Sequence, residues 1–258
     1  MEPIRSSSNA LLKRFRAAAA GREAGTVLLE GERLLGDALR AGVAIEAVLV
    51  PESREATALP SVENDAPLSA RPVADELFQR LGSLKSTPGV LALAQEPPLR
   101  TVAELARDGA FLCIACAVQD PGNLGALART AEAAGVDGLL VCGSGCRPFQ
   151  PKALRGSMGS LLRLPVAVAE EPDALAGELR ERGFRQVTAQ TRDGIEAARF
   201  DWGGSIALWL CGETGRGVPE STTLEGVSIP MQGEVESLNV TAAAAVLLFQ
   251  ASCQRSGT

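Results

Sequence analysis

An α/β protein in two parts, the larger built on a parallel sheet, is the fold this sequence predicts. Three observations predict it. Short apolar runs alternate with amphipathic stretches of helical length along the 258 residues, the pattern of strand–helix repeats. In the second part the apolar runs are near-continuous, as expected of parallel strands covered by helices on both faces. Between the parts, Gln95-Glu96-Pro97-Pro98-Leu99-Arg100 carries a Pro-Pro pair that halts regular structure. A boundary within residues 96–102 follows, and the parts are taken as 1–98 and 99–258.

The first part reads helix, strand, helix, strand. Ser8-Asn9 caps a helix that turns Leu11, Leu12 and Phe15 inward and Lys13, Arg14 and Arg16 outward. Val27–Glu30 is a short strand, Arg33–Ala41 a helix ended by Gly42, and Ala47–Val50 a strand stopped by Pro51. Residues 51–71 read as loop, Asp75–Leu81 as helix and Val90–Ala94 as strand. In the second part strands are expected at 111–118, 138–142, 163–168, 184–190, 205–211 and 226–229. Helices are expected at 122–134, 150–156, 172–182 and 238–252.

Composition narrows the chemistry. Apolar residues make up 46% of the chain, enough for a sizeable core, and there is no histidine and no tyrosine. Histidine triads, histidine metal ligands and tyrosine bases are therefore excluded. Six cysteines occur, most of them in apolar runs, and they read as core residues of a reducing cytoplasm. Cys113 and Cys116 could form half of a zinc site, but strand alternation points them to opposite faces, so no metal is expected. The basic N-terminus lacks the apolar segment of a signal peptide. The uncharged run Ser237–Gln254 is interrupted by Asn239, Thr241, Gln250 and Ser252, so no membrane span is expected either. The protein is expected in the cytoplasm.

Net charge is −6, a poor global match to nucleic acid. Its distribution is less discouraging. Residues 138–169 hold no Asp or Glu but include Arg147, Lys152, Arg155 and Arg163, and the first sixteen residues hold Arg5, Lys13, Arg14 and Arg16 against Glu2.

Four local patterns carry chemistry. Asp120-Pro121-Gly122 turns the chain out of a buried strand, Asn123 is placed to cap the following helix, and Arg129 falls off that helix's apolar stripe. Arg155-Gly156-Ser157-Met158-Gly159-Ser160 permits close backbone approach before an apolar strand through Pro165. A glycine loop spans Gly212–Gly217 and includes Glu213. Last, Ile229-Pro230-Met231 leads through a polar loop to Ser237-Leu238-Asn239, where an alanine-rich helix begins and either polar residue could cap it. Loops of this kind at strand ends are where an open α/β sheet binds nucleotide-like ligands.

Together and in this order, these patterns resemble the SPOUT-class RNA ribose methyltransferases, specifically the SpoU/TrmH branch, over residues 110–253. The first part is similar to the RNA substrate-binding module often fused to that branch, a smaller α/β domain like a ribosomal protein. Its signature here is Ser8-Asn9, Lys13-Arg14-Phe15-Arg16 and Leu29-Glu30-Gly31. The resemblance implies a deep trefoil knot in the second domain, S-adenosylmethionine bound within it, and a homodimer with a shared active site. It implies methyl transfer to a ribose 2′-hydroxyl, in ribosomal RNA ahead of transfer RNA. By position, Gly212, Ile229 and Leu238 contact the cofactor through backbone groups, and Leu210, Met231 and Thr188 or Ala189 line its pocket. Asn123 and Arg129 match the catalytic Asn and Arg; Glu213, Ser237 and Asn239 match the remaining polar site residues. Cys211 departs from the aliphatic or aromatic residue usual there.

With nine aromatic residues in the chain, base stacking is a weak source of RNA affinity. Phosphate and shape contacts are expected from Asn9, Lys13, Arg14, Arg16, Arg147, Lys152 and Arg155. Two other classes compete: a non-catalytic RNA-binding protein, and a nicotinamide-dependent enzyme suggested by the glycine loop. The complete Asn123/Arg129 and Ser237/Asn239 pairs argue against the first. The second lacks a Gly-x-Gly-x-x-Gly run after its first strand.

Overall fold

The computed structural model describes residues 2–54, 59, 68–83, 88–212, 218–220 and 224–257. It divides into two compact units, Met1–Pro98 with Phe149–Arg163, and Leu99–Pro148 with Leu164–Thr258. The sequence assigned 149–163 to the second part; the chain instead packs this segment with the first.

The first unit begins with α1 (Ala10–Ala19), whose Leu12, Phe15 and Ala18 are buried at helical spacing. Asn9 caps it, its side-chain oxygen accepting from the Leu11 N–H at 2.9 Å. There follow β1 (Thr26–Glu30), α2 (Glu32–Arg40), β2 (Ile45–Pro51), β3 (Ala70–Val73), α3 (Asp75–Phe78) and β4 (Leu91–Gln95). The sheet order is β1-β4-β2-β3, mixed in direction. The buried side chains of α1 pack with Leu28, Leu49, Val73, Phe78, Leu91 and Leu93. The sequence reads 51–71 as loop-rich; β3 begins at its end, and most of 55–67 lies outside the described residues.

The second unit opens with α4 (Val102–Leu105), which sequence reading missed. Thr101 and Glu104 form a capping box there. Next come β5 (Phe111–Cys116), α5 (Pro121–Ala133) and β6 (Gly138–Cys142). The chain then adds α6 (Pro151–Ser157) and α7 (Ser160–Arg163) to the first unit. The strand expected from 163 begins only at Val166, because Ser160-Leu161-Leu162-Arg163 coils into helix. The turn between α6 and α7 requires glycine: Gly159 has φ +87°, and a Cβ there would lie 2.7 Å from Asp37.

The second unit continues with β7 (Val166–Ala169), α8 (Pro172–Glu181), β8 (Arg185–Gln190), β9 (Ile195–Glu196), β10 (Ile206–Cys211), β11 (Glu225–Ser228) and α9 (Val240–Ser256). Its strands lie in the order β7-β6-β5-β10-β8-β11-β9, and every described pairing is parallel. This is the parallel sheet the apolar runs predicted. On one face Leu105 of α4 and Leu175, Ala176 and Leu179 of α8 pack with Ile114, Leu140 and Trp209. Helices α5 and α9 pack together and against β5 and β10. Buried polar groups find partners: the Trp209 indole N–H donates to Gln186 Oε1 at 3.1 Å, and Gln186 Nε2 donates to the Ala176 carbonyl at 2.7 Å. No described helix is long and apolar enough to cross a membrane.

Candidate active site

Strand order reverses in the middle of the second sheet. From β5 the chain moves outward through β6 to β7, and β10 later fills the place on β5's other side. In open α/β sheets ligands bind beyond the carboxyl ends of strands near such a reversal. A cavity of about 540 Å³ lies there, within the range of small-molecule sites. Its walls come from the ends of β8, β10 and β11 and from the start of α9.

All seven positions assigned to the cofactor face this one cavity. Thr188 and Ala189 come from β8, Leu210 from β10, Gly212 from the loop after it, Ile229 and Met231 from the chain leaving β11, and Leu238 from the approach to α9. Ser237 and Asn239 line it too. Gly212 is fixed tightly: its N–H donates to the Cys116 carbonyl at 2.9 Å, and a Cβ on it would stand 2.5 Å from the Ala117 carbonyl oxygen. Ala117 itself holds φ +50°, unusual for a residue with a side chain. Sequence reading missed Gln190 and Thr191, which extend the β8 wall, and Val240, Ala243 and Leu247. The last three share one face of α9 at i, i+3 and i+7, a spacing visible in the sequence.

The helix caps correct one expectation, Asn123 as the cap of α5, and decide one alternative the sequence left open. Asp120 caps α5, accepting from the Asn123 N–H at 3.0 Å, so Asn123 lies inside the first turn and does not cap. Pro121 explains this, since proline suits the first helical position. At α9 the cap is Asn239, whose Oδ1 accepts from the Thr241 N–H at 2.9 Å and the Thr241 hydroxyl at 2.6 Å. Ser237 is exposed. Glu213 lies outside the described residues.

Asn123 and Arg129 share α5 and do not reach the described cavity wall; Asn123 is half-buried and Arg129 exposed. The basic residues assigned to RNA fall into two groups. Arg14 bonds Glu23 at 2.7 Å and Glu46 at 2.6 Å, which raises its pKa through those hydrogen bonds. Arg155 pairs with the buried Glu30 carboxylate and donates to the Ser83 hydroxyl at 2.5 Å. Lys13, Arg147 and Lys152 are exposed, while Arg16 donates to the Ser7 carbonyl at 2.9 Å. Asn9 is occupied as the cap of α1.

The wall fits a nucleoside-like cofactor. Leu210, Val227, Ile229, Met231 and Leu247 offer apolar surface to a flat base, and Thr188, Thr191 and Ser237 offer hydroxyls. The described lining includes no ionised side chain. A knob of backbone at Gly212 lets such a ligand approach the main chain closely.

A parallel sheet with a nucleoside-sized cavity beyond its strand ends defines a nucleotide- or cofactor-binding α/β protein. Comparison with known proteins defines it further. Residues 110–249 match the model of the SpoU rRNA Methylase family. The chain is 30% identical over 256 residues to the 23S rRNA (guanosine(2553)-2'-O)-methyltransferase RlmP of Bacillus subtilis, covering 96% of this chain and 98% of that one. It is 33% identical over 193 residues to the 23S rRNA (guanosine-2'-O-)-methyltransferase RlmB of Bordetella pertussis, covering 72% and 78%. The SpoU methyltransferase AviRb of Streptomyces viridochromogenes, solved with the cofactor AdoMet, superposes with TM-score 0.80 at 25% identity, over 97% of this chain and 100% of that one. An RNA 2'-O ribose methyltransferase superposes equally well, TM-score 0.80 at 29% identity, over 98% and 99%. The chain belongs to the SpoU rRNA methylase family, and with it to the S-adenosylmethionine-dependent 2′-O-ribose methyltransferases of the SPOUT class.

Proposed function

We propose that this chain methylates a ribose 2′-hydroxyl of ribosomal RNA, with S-adenosylmethionine held in the cavity of the second unit. One observation carries the reading: all seven positions that match the family's cofactor contacts line a single cavity. Relatives named for 23S rRNA methylation along most of the chain support ribosomal RNA over transfer RNA.

The cofactor supplies an electrophilic methyl group. Gly212, Ile229 and Leu238 hold it through backbone groups, while Thr188, Ala189, Leu210 and Met231 shape the walls. Asn239 has committed its oxygen to the α9 cap, which leaves its amide N–H groups to orient cofactor or nucleotide beside Ser237. Glu213 keeps the polar role its family position implies. Arg129 serves as a cationic hydrogen-bond donor rather than as a base. It grips the target phosphate or stabilises the negative charge developing on the 2′-oxygen as the hydroxyl proton passes to solvent, and Asn123 positions it or the ribose.

Placing Arg129 on an exposed helix face, away from its own cavity wall, is what a shared site requires. The second copy brings it. Helix α9 offers the surface for that pairing: Ala242, Val246, Phe249 and Cys253 recur at i, i+4, i+7 and i+11 on its outer side, with Val246 45% and Phe249 47% exposed. A deep trefoil knot in residues 99–258 is supported by β10 lying between the earlier β5 and β8, with α9 returning to α5. The first part, residues 1–98, serves as the RNA-binding domain, with Lys13 and Arg16 on α1 toward phosphate. The cytoplasm, where ribosomal RNA is made, is its place of action.

The test has two readings. Calorimetry of the RNA-free protein should detect S-adenosylmethionine, and absence of binding at millimolar cofactor would sink the assignment. Arg129→Lys should bind cofactor and RNA normally yet lose about a hundredfold or more in single-turnover methylation of ribosomal RNA. Near-normal turnover in that variant would remove Arg129's special role.

A further inference from the structure

Three cysteines stand abreast at the carboxyl end of the second sheet. Cys116 ends β5; its register partners are Cys142 on β6 and Cys211 on β10. Register partners on parallel strands point to the same face, so the thiols form a row with Cys116 in the middle. Hydrogen bonds join the Cys116 sulfur to both neighbours. All three are free thiols; Cys116 and Cys142 are buried, while Cys211 is partly exposed and forms part of the cofactor cavity wall. Cys113, three residues back on β5, points away from this row, and burial pushes its thiol up to about 12.

We propose that Cys116 and Cys211 form a reversible oxidation site for hydroperoxide, and that closing their disulfide weakens cofactor binding. The second half of this rests on the cavity being the S-adenosylmethionine site. Access runs through the cavity, which of the three thiols touches only Cys211. Hydrogen bonds from Cys142 and Cys211 lower the Cys116 pKa, against the burial that raises it. The thiols of Cys142 and Cys211 are pushed up, each chiefly by its hydrogen bond to Cys116.

The chemistry balances. The Cys211 sulfur attacks one oxygen of the hydroperoxide, and its proton goes to the oxygen that leaves. The O–O bond breaks, leaving a Cys211 sulfenic acid and, for hydrogen peroxide, one water after protonation. The Cys116 thiol, the register neighbour of that residue and needing no path to solvent, then attacks its sulfur. The S–O bond breaks, and the leaving hydroxide takes the Cys116 proton as a second water. Two thiols have lost two electrons and two protons, and the peroxide has gained them.

Closing this bond moves the cavity wall. Neighbouring strands lie ~4.8 Å apart, whereas a disulfide draws its Cβ atoms to about 3.8 Å. The ends of β5 and β10 must approach at Leu210, Cys211 and Gly212, which all line the cavity. Gly212 has no slack to absorb the shift, because its N–H is bonded to the Cys116 carbonyl and Ala117 blocks its other side.

The experiment treats the full chain with hydrogen peroxide, maps disulfides by non-reducing peptide mass spectrometry, and measures S-adenosylmethionine affinity by calorimetry before and after. A Cys116–Cys211 disulfide is expected, with cofactor affinity lower by at least about tenfold, ~1.4 kcal/mol, and restored by reductant. Cys116→Ser should bind cofactor and no longer respond to peroxide, and Cys142→Ala should respond like the parent chain. Because the map is made on the parent chain, the idea stays exposed if a variant fails to fold. Oxidised protein with Cys116 and Cys211 still free, or joined without loss of affinity, overturns the proposal. Reduced protein that binds no cofactor overturns the proposed function instead, and the disulfide map reads the thiol pair independently of it.

Discussion

At Gly212 the main chain of β10 leaves the sheet against the β5 end, and the space for a side chain is taken. An added Cβ would stand 2.5 Å from the Ala117 carbonyl oxygen, a backbone atom that cannot swing aside. Gly212→Ala therefore shifts either the cavity wall or the turn at Ala117, which already sits at φ +50°. Overpacking of this kind costs about 1–3 kcal/mol. Chemical denaturation should show that loss, and calorimetry should show weaker S-adenosylmethionine binding; an unchanged affinity would mean Gly212 lies off the cofactor's path. Gly212 and its neighbours in the wall were legible because a family pattern marks them. Their steric cause was not legible, since the blocking carbonyl belongs to a residue 95 positions away in sequence (212 against 117).

Elements show where local signals suffice. Helix α1 and strands β5, β6, β8 and β10 follow their apolar pattern closely, because each buries a continuous stripe or run. Four-residue pieces escaped: α7 holds Leu161 and Leu162 in a run too short for periodicity to separate helix from strand. The role of Arg155 escaped for another reason. Its charge read as an RNA contact, while its partner is Glu30, 125 residues earlier, at the end of β1. The Glu30 side chain is fully buried and also accepts from the Ser83 N–H at 2.6 Å and hydroxyl at 2.8 Å. Arg155→Ala would leave that carboxylate without its cation, and breaking a buried pair costs about 3–5 kcal/mol. Urea denaturation should show a loss of that order, with Glu30→Gln restoring part of it in the double variant. Additive losses would mean that α6 is held to β1 by packing alone.

At the scale of the whole molecule, the described residues of one chain do not bring all the proposed catalytic positions to one wall. The cavity and the α9 cap bring Ser237 and Asn239 beside the cofactor positions, whereas Asn123 and Arg129 lie along α5, off the described wall. A two-fold pairing through the apolar outer stripe of α9 would present the same patch on both copies and let each cavity receive the other copy's arginine. Mixing two inactive variants tests this directly. Arg129→Ala keeps its cavity, and Leu238→Arg places a charge in the cavity while keeping its own Arg129. In a mixed dimer one of the two composite sites is intact, so random assortment should restore about a quarter of parental methylation. Phe249→Asp in both chains puts two carboxylates in the seam and should give a folded monomer by light scattering, with no recovery on mixing. Recovery absent from the mixed dimers would place Arg129 and cavity in the same chain. Activity in the Phe249→Asp monomer would show that one copy is a complete enzyme.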